Sequence, residues 1–251
     1  MGRAFFRFYA ELNDHLPAAS QYKTVEKQFL VSSTVKDLIE SLGVPHAEVD
    51  LVVVNGESVD FSYSVRDGDR VAVYPMFEAV DITPALRLRP APLRDPRFVL
   101  DVHLGKLAAY LRMLGFDTAY RNCYSDPELV RISASEVRIL LTRDRGLLKH
   151  SEVTRGYWLR ETDSRAQLLE TVRRFDLAGT MHPFTRCMAC NTVLQPLATS
   201  DARDLVPARV AEQDNEFRRC PNCGRVYWKG SHYERMLRLV EATAASGRVP
   251  R

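Results

Sequence analysis

Four of the five cysteines form two closely spaced pairs, and this is the most specific chemical pattern in the chain. Two residues separate the members of each pair, in Cys187-x-x-Cys190 and in Cys220-x-x-Cys223. Two such units supply the four thiolates of a closed, tetrahedral Zn²⁺ site, whereas redox pairs would need a βαβ context that is missing here. The pattern predicts a zinc ribbon with structural Zn²⁺. The lone Cys123 has no catalytic histidine evident near it, and we expect it to be a small core residue.

Aspartates form the second set of residues that could do chemistry. Asp101 and Asp144 each stand within a few residues of the end of a predicted apolar strand, at residues 98–100 and 137–141. In a parallel sheet the carboxyl ends of the strands share one edge, where ligands bind. Two carboxylates at that edge favour a hard divalent ion, Mg²⁺ or Mn²⁺, of the kind that activates water in phosphodiester hydrolysis.

Two more aspartates could complete this acidic site. Asp126 stands at a predicted helix start, and Asp163 follows a predicted strand at residues 157–159. Capping a helix is a common role of aspartate, and taken alone each of these two is better explained as a cap. For Asp101 and Asp144 together, a metal site is the better interpretation.

These residues need a scaffold, and residues 98–182 predict a small parallel α/β sheet in which short apolar strands alternate with helices. Residues 1–83 predict an α+β unit instead, with the order strand, strand, helix, strand, turn, strand and with Thr34 as the helix N-cap. That order resembles the β-grasp, or ubiquitin-like, fold. Residues 65–75 resemble the end of small sulfur-carrier proteins, but the chain continues past Pro75. We therefore expect a binding or scaffolding module rather than a carrier, with a domain that only packs against its neighbour as the alternative.

Charge divides the chain in a similar way. Residues 1–84 carry a net charge of −6 and residues 85–251 carry +9, so a polyanion is the natural partner of the second part, with solvated surface charge as the alternative.

A Pro- and Arg-rich linker is predicted at residues 84–97, and the zinc ribbon with a C-terminal helix at 183–251. No window approaches the ~20 apolar residues of a membrane span, and no signal-like core follows the N-terminus, so we expect a cytoplasmic protein.

The sequence also resembles a known family. Residues 98–118 and 139–149 closely resemble the PIN-like ribonuclease domain of the Mut-seven-C type, and the resemblance covers about residues 97–180 and continues into the zinc segment. Members often carry a ubiquitin-like domain in front, and the resemblance likewise implies a zinc ribbon at the C-terminal end.

The resemblance implies that Asp101, Asp126 and Asp144 are the metal-binding acids of a PIN-type nuclease. In many PIN-like domains another acid follows the Thr-x-Asp motif closely or lies on a later loop. Here Arg145 and Gly146 follow Asp144. A fourth acid would therefore come from Asp163, Glu161 or Glu136, or the fourth acid is missing.

Basic and aromatic residues near both sites are candidates for RNA contacts, through phosphates and stacked bases. The alternative is that the cations are solvated and that one of the two aromatic residues packs beside the ribbon. The candidates are His103, Lys106, Arg112, Arg143, Arg145, Lys149, Arg186, Arg225, Tyr227, Trp228 and Lys229.

The prediction is a three-part α/β protein: a β-grasp domain, a PIN-like parallel-sheet domain and a four-cysteine zinc ribbon. Its expected function is metal-dependent hydrolysis of RNA by a carboxylate-bound Mg²⁺ or Mn²⁺, with the ribbon binding RNA. One rival is a non-catalytic RNA-binding protein on the same PIN-like fold. The other is an adaptor that binds a protein partner through the β-grasp domain within an RNA-processing assembly.

Overall fold

The computed structural model describes residues 1–30, 32–75, 88, 95–211 and 216–247. Most of the predicted linker at 84–97 lies outside these residues. The chain folds into two compact units, each built from two separate stretches. The first unit contains Met1–Asp95 and Asp126–Trp158, and the second contains Pro96–Ser125 and Leu159–Arg251.

Twelve strands and seven α-helices are found in the described residues. The strands are β1 (Gly2–Phe8), β2 (Thr24–Phe29), β3 (Val49–Val54), β4 (Glu57–Val59), β5 (Arg70–Pro75), β6 (Phe98–Leu100), β7 (Thr118–Ala119), β8 (Ile139–Thr142), β9 (Gly156–Trp158), β10 (Gln195–Leu197), β11 (Phe217–Arg219) and β12 (Val226–Tyr227). The helices are α1 (Val35–Ser41), α2 (Gly105–Met113), α3 (Asp126–Ser135), α4 (Ser164–Arg174), α5 (Thr199–Ala202), α6 (Ala208–Ala211) and α7 (Ser231–Ser246). None of these helices has the length and apolarity that a membrane span requires.

The N-terminal part of the first unit is a five-stranded sheet in the order β2-β1-β5-β3-β4. β1 pairs antiparallel with β2 and parallel with β5, which is the β-grasp arrangement. Helix α1 begins at a capping box, in which the Thr34 hydroxyl accepts from the Asp37 N–H and the Asp37 carboxylate accepts from the Thr34 N–H. Ile39 of α1 is buried with Phe6 and Phe8 of β1 in one apolar core. The predicted ubiquitin-like domain is confirmed.

Parallel strand pairs occur in both units. In the second unit β6 pairs with β7, and in the first unit β8 pairs with β9. β6 and β8 are buried along their whole length, as expected for strands of a covered parallel sheet. The predicted parallel α/β fold is confirmed, with one boundary corrected. β8 begins at Ile139 because Val137 takes a left-handed φ of 52° in the turn after α3.

The second unit combines helices with an antiparallel sheet of three strands, β10-β11-β12. Helix α2 buries Leu107 and Leu111, and α4 buries Leu168 and Val172 and also contacts α7. The second cysteine pair lies in the turn that joins β11 to β12. This short sheet therefore positions two of the four cysteines, as in a zinc ribbon.

Candidate functional site

The four paired cysteines come together in the second unit. Their Sγ atoms all lie within 4.8 Å of one another, with Cys187 3.5 Å from Cys223 and Cys190 3.3 Å from Cys220. Four thiolates bound to one zinc ion at about 2.3 Å stand about 3.8 Å apart, so this spacing fits a tetrahedral ion and is far too long for disulfides. The cluster could therefore bind a metal such as zinc. Cys123 is exposed, which corrects the prediction that it is a core residue.

Each C-x-x-C unit is closed by the residue that follows it. Gly224 has φ of 72°, and its N–H donates to the Cys220 carbonyl at 3.0 Å. Asn191 has φ of 73°, and its N–H donates to the Cys187 carbonyl at 2.8 Å. Both turns thus end in a left-handed residue, a conformation open to Gly and tolerated by Asn. Asn191 was not predicted from the sequence to have this role, although Asn directly after a C-x-x-C was a usable signal.

The environment gives the thiols unequal acidity. Burial raises the pKa of Cys190, but hydrogen bonding with Thr192 and with Cys220 outweighs it and lowers that pKa to about 5. At Cys223 a backbone hydrogen bond from Arg225 lowers the pKa, but burial and the neighbouring thiols raise it to about 12. The Cys190 thiolate therefore forms easily, whereas proton loss from Cys223 must be coupled to metal binding.

Arg112 of α2 is buried against the first cysteine pair. Its Nη1 donates to the carbonyls of Met188 at 3.2 Å and Ala189 at 2.8 Å, and its Nε donates to the Thr118 carbonyl at 3.0 Å. Burial lowers the pKa of this guanidinium, while Cys190 and Cys187 oppose the shift. The observed role of Arg112 is to hold the cysteine loop on the helix. This corrects the predicted phosphate contact.

Arg186 and Asn191 make further bonds between the ribbon and the segment after α2. The Arg186 Nε donates to the Gly115 carbonyl at 3.1 Å. The Asn191 side chain accepts from the Thr118 N–H at 2.9 Å and donates to the Asp117 carboxylate at 2.8 Å. The predicted boundary between residues 182 and 183 therefore lies inside a single compact unit, and Arg186 is largely occupied by the fold.

The two candidate aspartates of the second unit, Asp101 and Asp163, each cap a local turn. Asp101 follows β6, and its Oδ1 accepts from the Val102 N–H at 2.6 Å. Asp163 is the N-cap of α4, where bonds from the Ala166 and Arg165 N–H groups lower its pKa. The capping role that the sequence suggested for Asp163 alone is therefore observed.

The acids of the first unit lie at an exposed helix start and an exposed loop. Asp126 is the first residue of α3, and Asp144 follows β8. The Asp144 Oδ1 accepts from the Gly146 N–H at 2.7 Å. Glu136, a candidate fourth acid, is paired with the Arg138 guanidinium at 2.6 Å. Neither unit, in the residues described, brings three carboxylates within reach of one ion.

The loop after Asp144 is held by the ubiquitin-like domain within the first unit. The Arg145 guanidinium lies 3.9 Å from the Trp158 ring centroid, and its Nη1 donates to the His15 carbonyl at 3.4 Å. Glu48 accepts from the Trp158 N–H at 2.6 Å and pairs with the buried His15 ring at 2.8 Å. Arg145, a predicted RNA contact, is half-buried and stacked in this cluster. Glu48 and His15 carried no signal in the sequence, because they lie 33 residues apart.

Most of the remaining RNA-contact candidates are at the surface. The Tyr227 hydroxyl lies 3.1 Å from the Cys187 Sγ, so this ring packs beside the cluster, and Trp228 is half-buried. Lys149 donates to the Glu40 carbonyl at 3.2 Å. The exposed candidates are His103, Lys106, Arg143, Lys149, Arg225 and Lys229.

Two family models match this chain. Residues 96–240 match the family described as Mut7-C RNAse domain, and residues 1–81 match the one described as Mut7-C ubiquitin. A crystal structure of the H. volcanii small archaeal modifier protein 1 is similar over 30% of this chain and 98% of its own, at 19% identity and a TM-score of 0.25. The search of curated proteins gives no match.

Proposed function

We propose, from the premise that this chain belongs to the Mut7-C RNAse domain family, that it is a metal-dependent ribonuclease with a structural zinc site. Membership of an RNase-domain family indicates an RNA-related role. Two observations on the same segment support the ribonuclease proposal. Residues 96–240 match an RNase domain, and in this chain Asp101 and Asp144 each follow a buried parallel strand. The expected reaction is hydrolysis of RNA phosphodiester bonds.

Four aspartates are the proposed ligands of Mg²⁺ or Mn²⁺, namely Asp101, Asp126, Asp144 and Asp163. Their donor set fits such an ion, because carboxylate oxygens are the ligands that hard divalent cations prefer. A bound ion would neutralise phosphate charge and lower the pKa of a bound water.

Local hydrogen bonds prepare these carboxylates for that role. One oxygen of Asp144 is fixed by the Gly146 N–H, and the other receives no hydrogen bond from the described residues. The bonds that Asp163 receives at the start of α4 keep it ionised, since they lower its pKa. Asp144 and Asp163 are thus each oriented by their own backbone turn, and little of their side-chain freedom is lost when a ligand binds.

The proposed zinc site folds the ribbon, which in turn presents cations and aromatic rings to RNA. Arg225 and Lys229 are exposed and would contact phosphates, while Tyr227 and Trp228 offer rings for unpaired bases. His103 and Lys106 lie within five residues after Asp101 and are exposed, which supports their proposed role of holding the phosphate that is to be cleaved. Such contacts give affinity that falls with rising salt.

The test is cleavage of a panel of single-stranded and structured RNAs by zinc-loaded protein in Mg²⁺ or Mn²⁺. Asp144→Asn should abolish cleavage while RNA binding and thermal stability persist, because the substitution removes a ligand charge at an exposed position. Asp60→Asn is the matched control, since Asp60 is an exposed aspartate of the same unit. The Asp60→Asn protein should cleave RNA at the wild-type rate. Wild-type rates in Asp144→Asn would overturn the assignment.

A non-catalytic RNA-binding protein is the second candidate function. The observation that favours it is that neither unit's described residues hold a ready cluster of three carboxylates. It predicts salt-sensitive RNA binding without metal-dependent cleavage by well-folded, zinc-loaded protein. The same cleavage panel therefore separates the two candidates.

A further inference from the structure

A cavity of about 270 Å³ lies in the second unit, beside the zinc ribbon. It is lined from three sides, by the ribbon strands, by α7 and by Met113 at the end of α2. Small-ligand pockets have volumes of about 300–1,000 Å³, so this one suits a single small ring system rather than a folded segment.

Aromatic rings form the walls of this cavity, and they are held in place. Tyr227 is fixed by the contact between its hydroxyl and the Cys187 Sγ at 3.1 Å. Phe184 and Tyr233 pack with their ring centroids 4.6 Å apart. Trp228 lies close over Gly230, where an added Cβ would come within 3.1 Å of the indole nitrogen. A planar ligand would therefore meet preformed stacking surfaces and would lose little entropy in ordering them.

The floor of the cavity is made of soft apolar side chains. Met113, Met188 and Met236 line it, together with Leu194. Thioethers are polarisable and adapt to irregular shapes, and they make favourable contacts with aromatic rings. This floor suits a flat heterocycle and accepts more than one shape of ring.

Polar groups stand at the rim. Arg218 lines the cavity and makes no side-chain hydrogen bond with another described residue, and the Trp228 indole N–H likewise has no acceptor among them. Lys229 pairs with Glu216 at 2.7 Å, with both side chains more than half exposed. The rim thus offers the hydrogen-bond donors of Arg218 and Trp228, of which the Arg218 cation could bind a phosphate. The Glu216 carboxylate could accept a hydrogen bond from an amino group.

We infer that this cavity receives one unpaired nucleobase of single-stranded RNA, with the phosphate next to that base held by Arg218. The inference deepens the proposed function, because it names how the same substrate is gripped. The aromatic rings of the cavity could stack on a base, and the cation at its rim could contact the negatively charged backbone that carries the base. An aromatic side chain of a peptide could stack against the aromatic rings of the cavity, but it would bring no phosphate for Arg218 to bind.

The test compares two short oligoribonucleotides of equal length and charge, one with bases and one abasic at every position. Both are titrated against full-length, zinc-loaded protein without added Mg²⁺ or Mn²⁺, so that binding is measured apart from cleavage. Trp228→Ala should weaken binding of the base-containing strand by about five- to a hundredfold, the range for one stacked base, and should leave the abasic strand unchanged. Trp228→Phe should restore most of the loss.

Two further variants keep the test independent of damage to the fold. Met236→Trp fills the cavity without removing a ring and should cause the same base-selective loss. Arg225→Ala removes an exposed ribbon cation that does not line the cavity, and it should weaken both strands alike. Zinc content should be equal in all variants.

Equal effects of Trp228→Ala on both strands, or no effect on either, would overturn the inference. If Asp144-dependent cleavage persists in that case, the proposed function survives and only the base pocket fails. If the base-selective loss is found but wild type cleaves no RNA, the pocket stands and the nuclease assignment fails.

Discussion

The cysteine cluster and the carboxylate set are held by the chain in different ways. The cysteines come from two short turns, each closed by a left-handed residue, Asn191 or Gly224, and each leaves its sulfurs within 4.8 Å of the others. The carboxylates lie on four separate elements, and three of them accept a hydrogen bond from their own local backbone. A metal site built from local turns is therefore prepared by the backbone itself. The proposed carboxylate site would instead need residues from elements that are distant in the sequence, which would suit an exchangeable ion.

The largest effect is expected when a buried cysteine is removed. Cys220→Ser should abolish tight zinc binding and unfold the ribbon, because structural zinc contributes about 10–16 kcal/mol of apparent binding free energy in small zinc modules. Cys123→Ser is the matched control, since Cys123 is exposed and outside the cluster. Zinc stoichiometry and protease resistance of residues 183–247 report the result. Full zinc content in Cys220→Ser would contradict the role of the cluster.

The next effect concerns the support of the Asp144 loop. Glu48→Ala should lower the free energy of unfolding by about 3–5 kcal/mol, because it leaves the buried His15 ring and the Trp158 N–H without their partner. Urea denaturation measures the change, with the exposed Glu57→Ala as control. RNA cleavage should fall as well, since Trp158 contacts the residues on both sides of Asp144, through the Arg143 carbonyl and the Arg145 guanidinium. A stable variant with normal cleavage would show that the ubiquitin-like domain does not support this loop.

A smaller loss is expected at the support of the first cysteine pair. Arg112→Met should cost about 2–4 kcal/mol of stability, since it leaves the carbonyls of Met188, Ala189 and Thr118 without a donor. Arg235→Met, at an exposed position of α7, should be nearly neutral. Denaturant midpoints compare the two. Equal midpoints would mean that the cysteine loop holds its position without the guanidinium.

The smallest effect separates the two roles of Asp163. Asp163→Ala should lower Tm by about 2–4 °C at neutral pH, because the N-cap of α4 is lost. The hydrogen bonds that lower the pKa of Asp163 stabilise the fold only while the carboxylate is ionised. The difference between wild type and variant should therefore shrink as the pH falls below about 4. A difference that is independent of pH would argue against the charged cap.

The sequence predicted those parts of the molecule that local patterns determine. The strand and helix order of the β-grasp domain, the parallel strands and the cysteine pairs follow from periodicity, turns and spacing within a few residues. Arg112 was assigned wrongly because nothing near it in the sequence shows that ribbon carbonyls 76 and 77 residues away need a donor. The pairing of Glu48 with His15 and Trp158 was equally hidden, since it depends on contacts between distant segments.

The most direct test of the proposed carboxylate site is Mn²⁺ binding to zinc-loaded wild type and to the Asp101→Asn, Asp144→Asn double variant, measured by electron paramagnetic resonance of the free ion. Wild type should bind Mn²⁺ and retain its zinc, and the double variant should lose Mn²⁺ while its zinc content is unchanged. Equal Mn²⁺ binding by both proteins, or none by wild type, would contradict the claim that these aspartates hold a second, exchangeable metal.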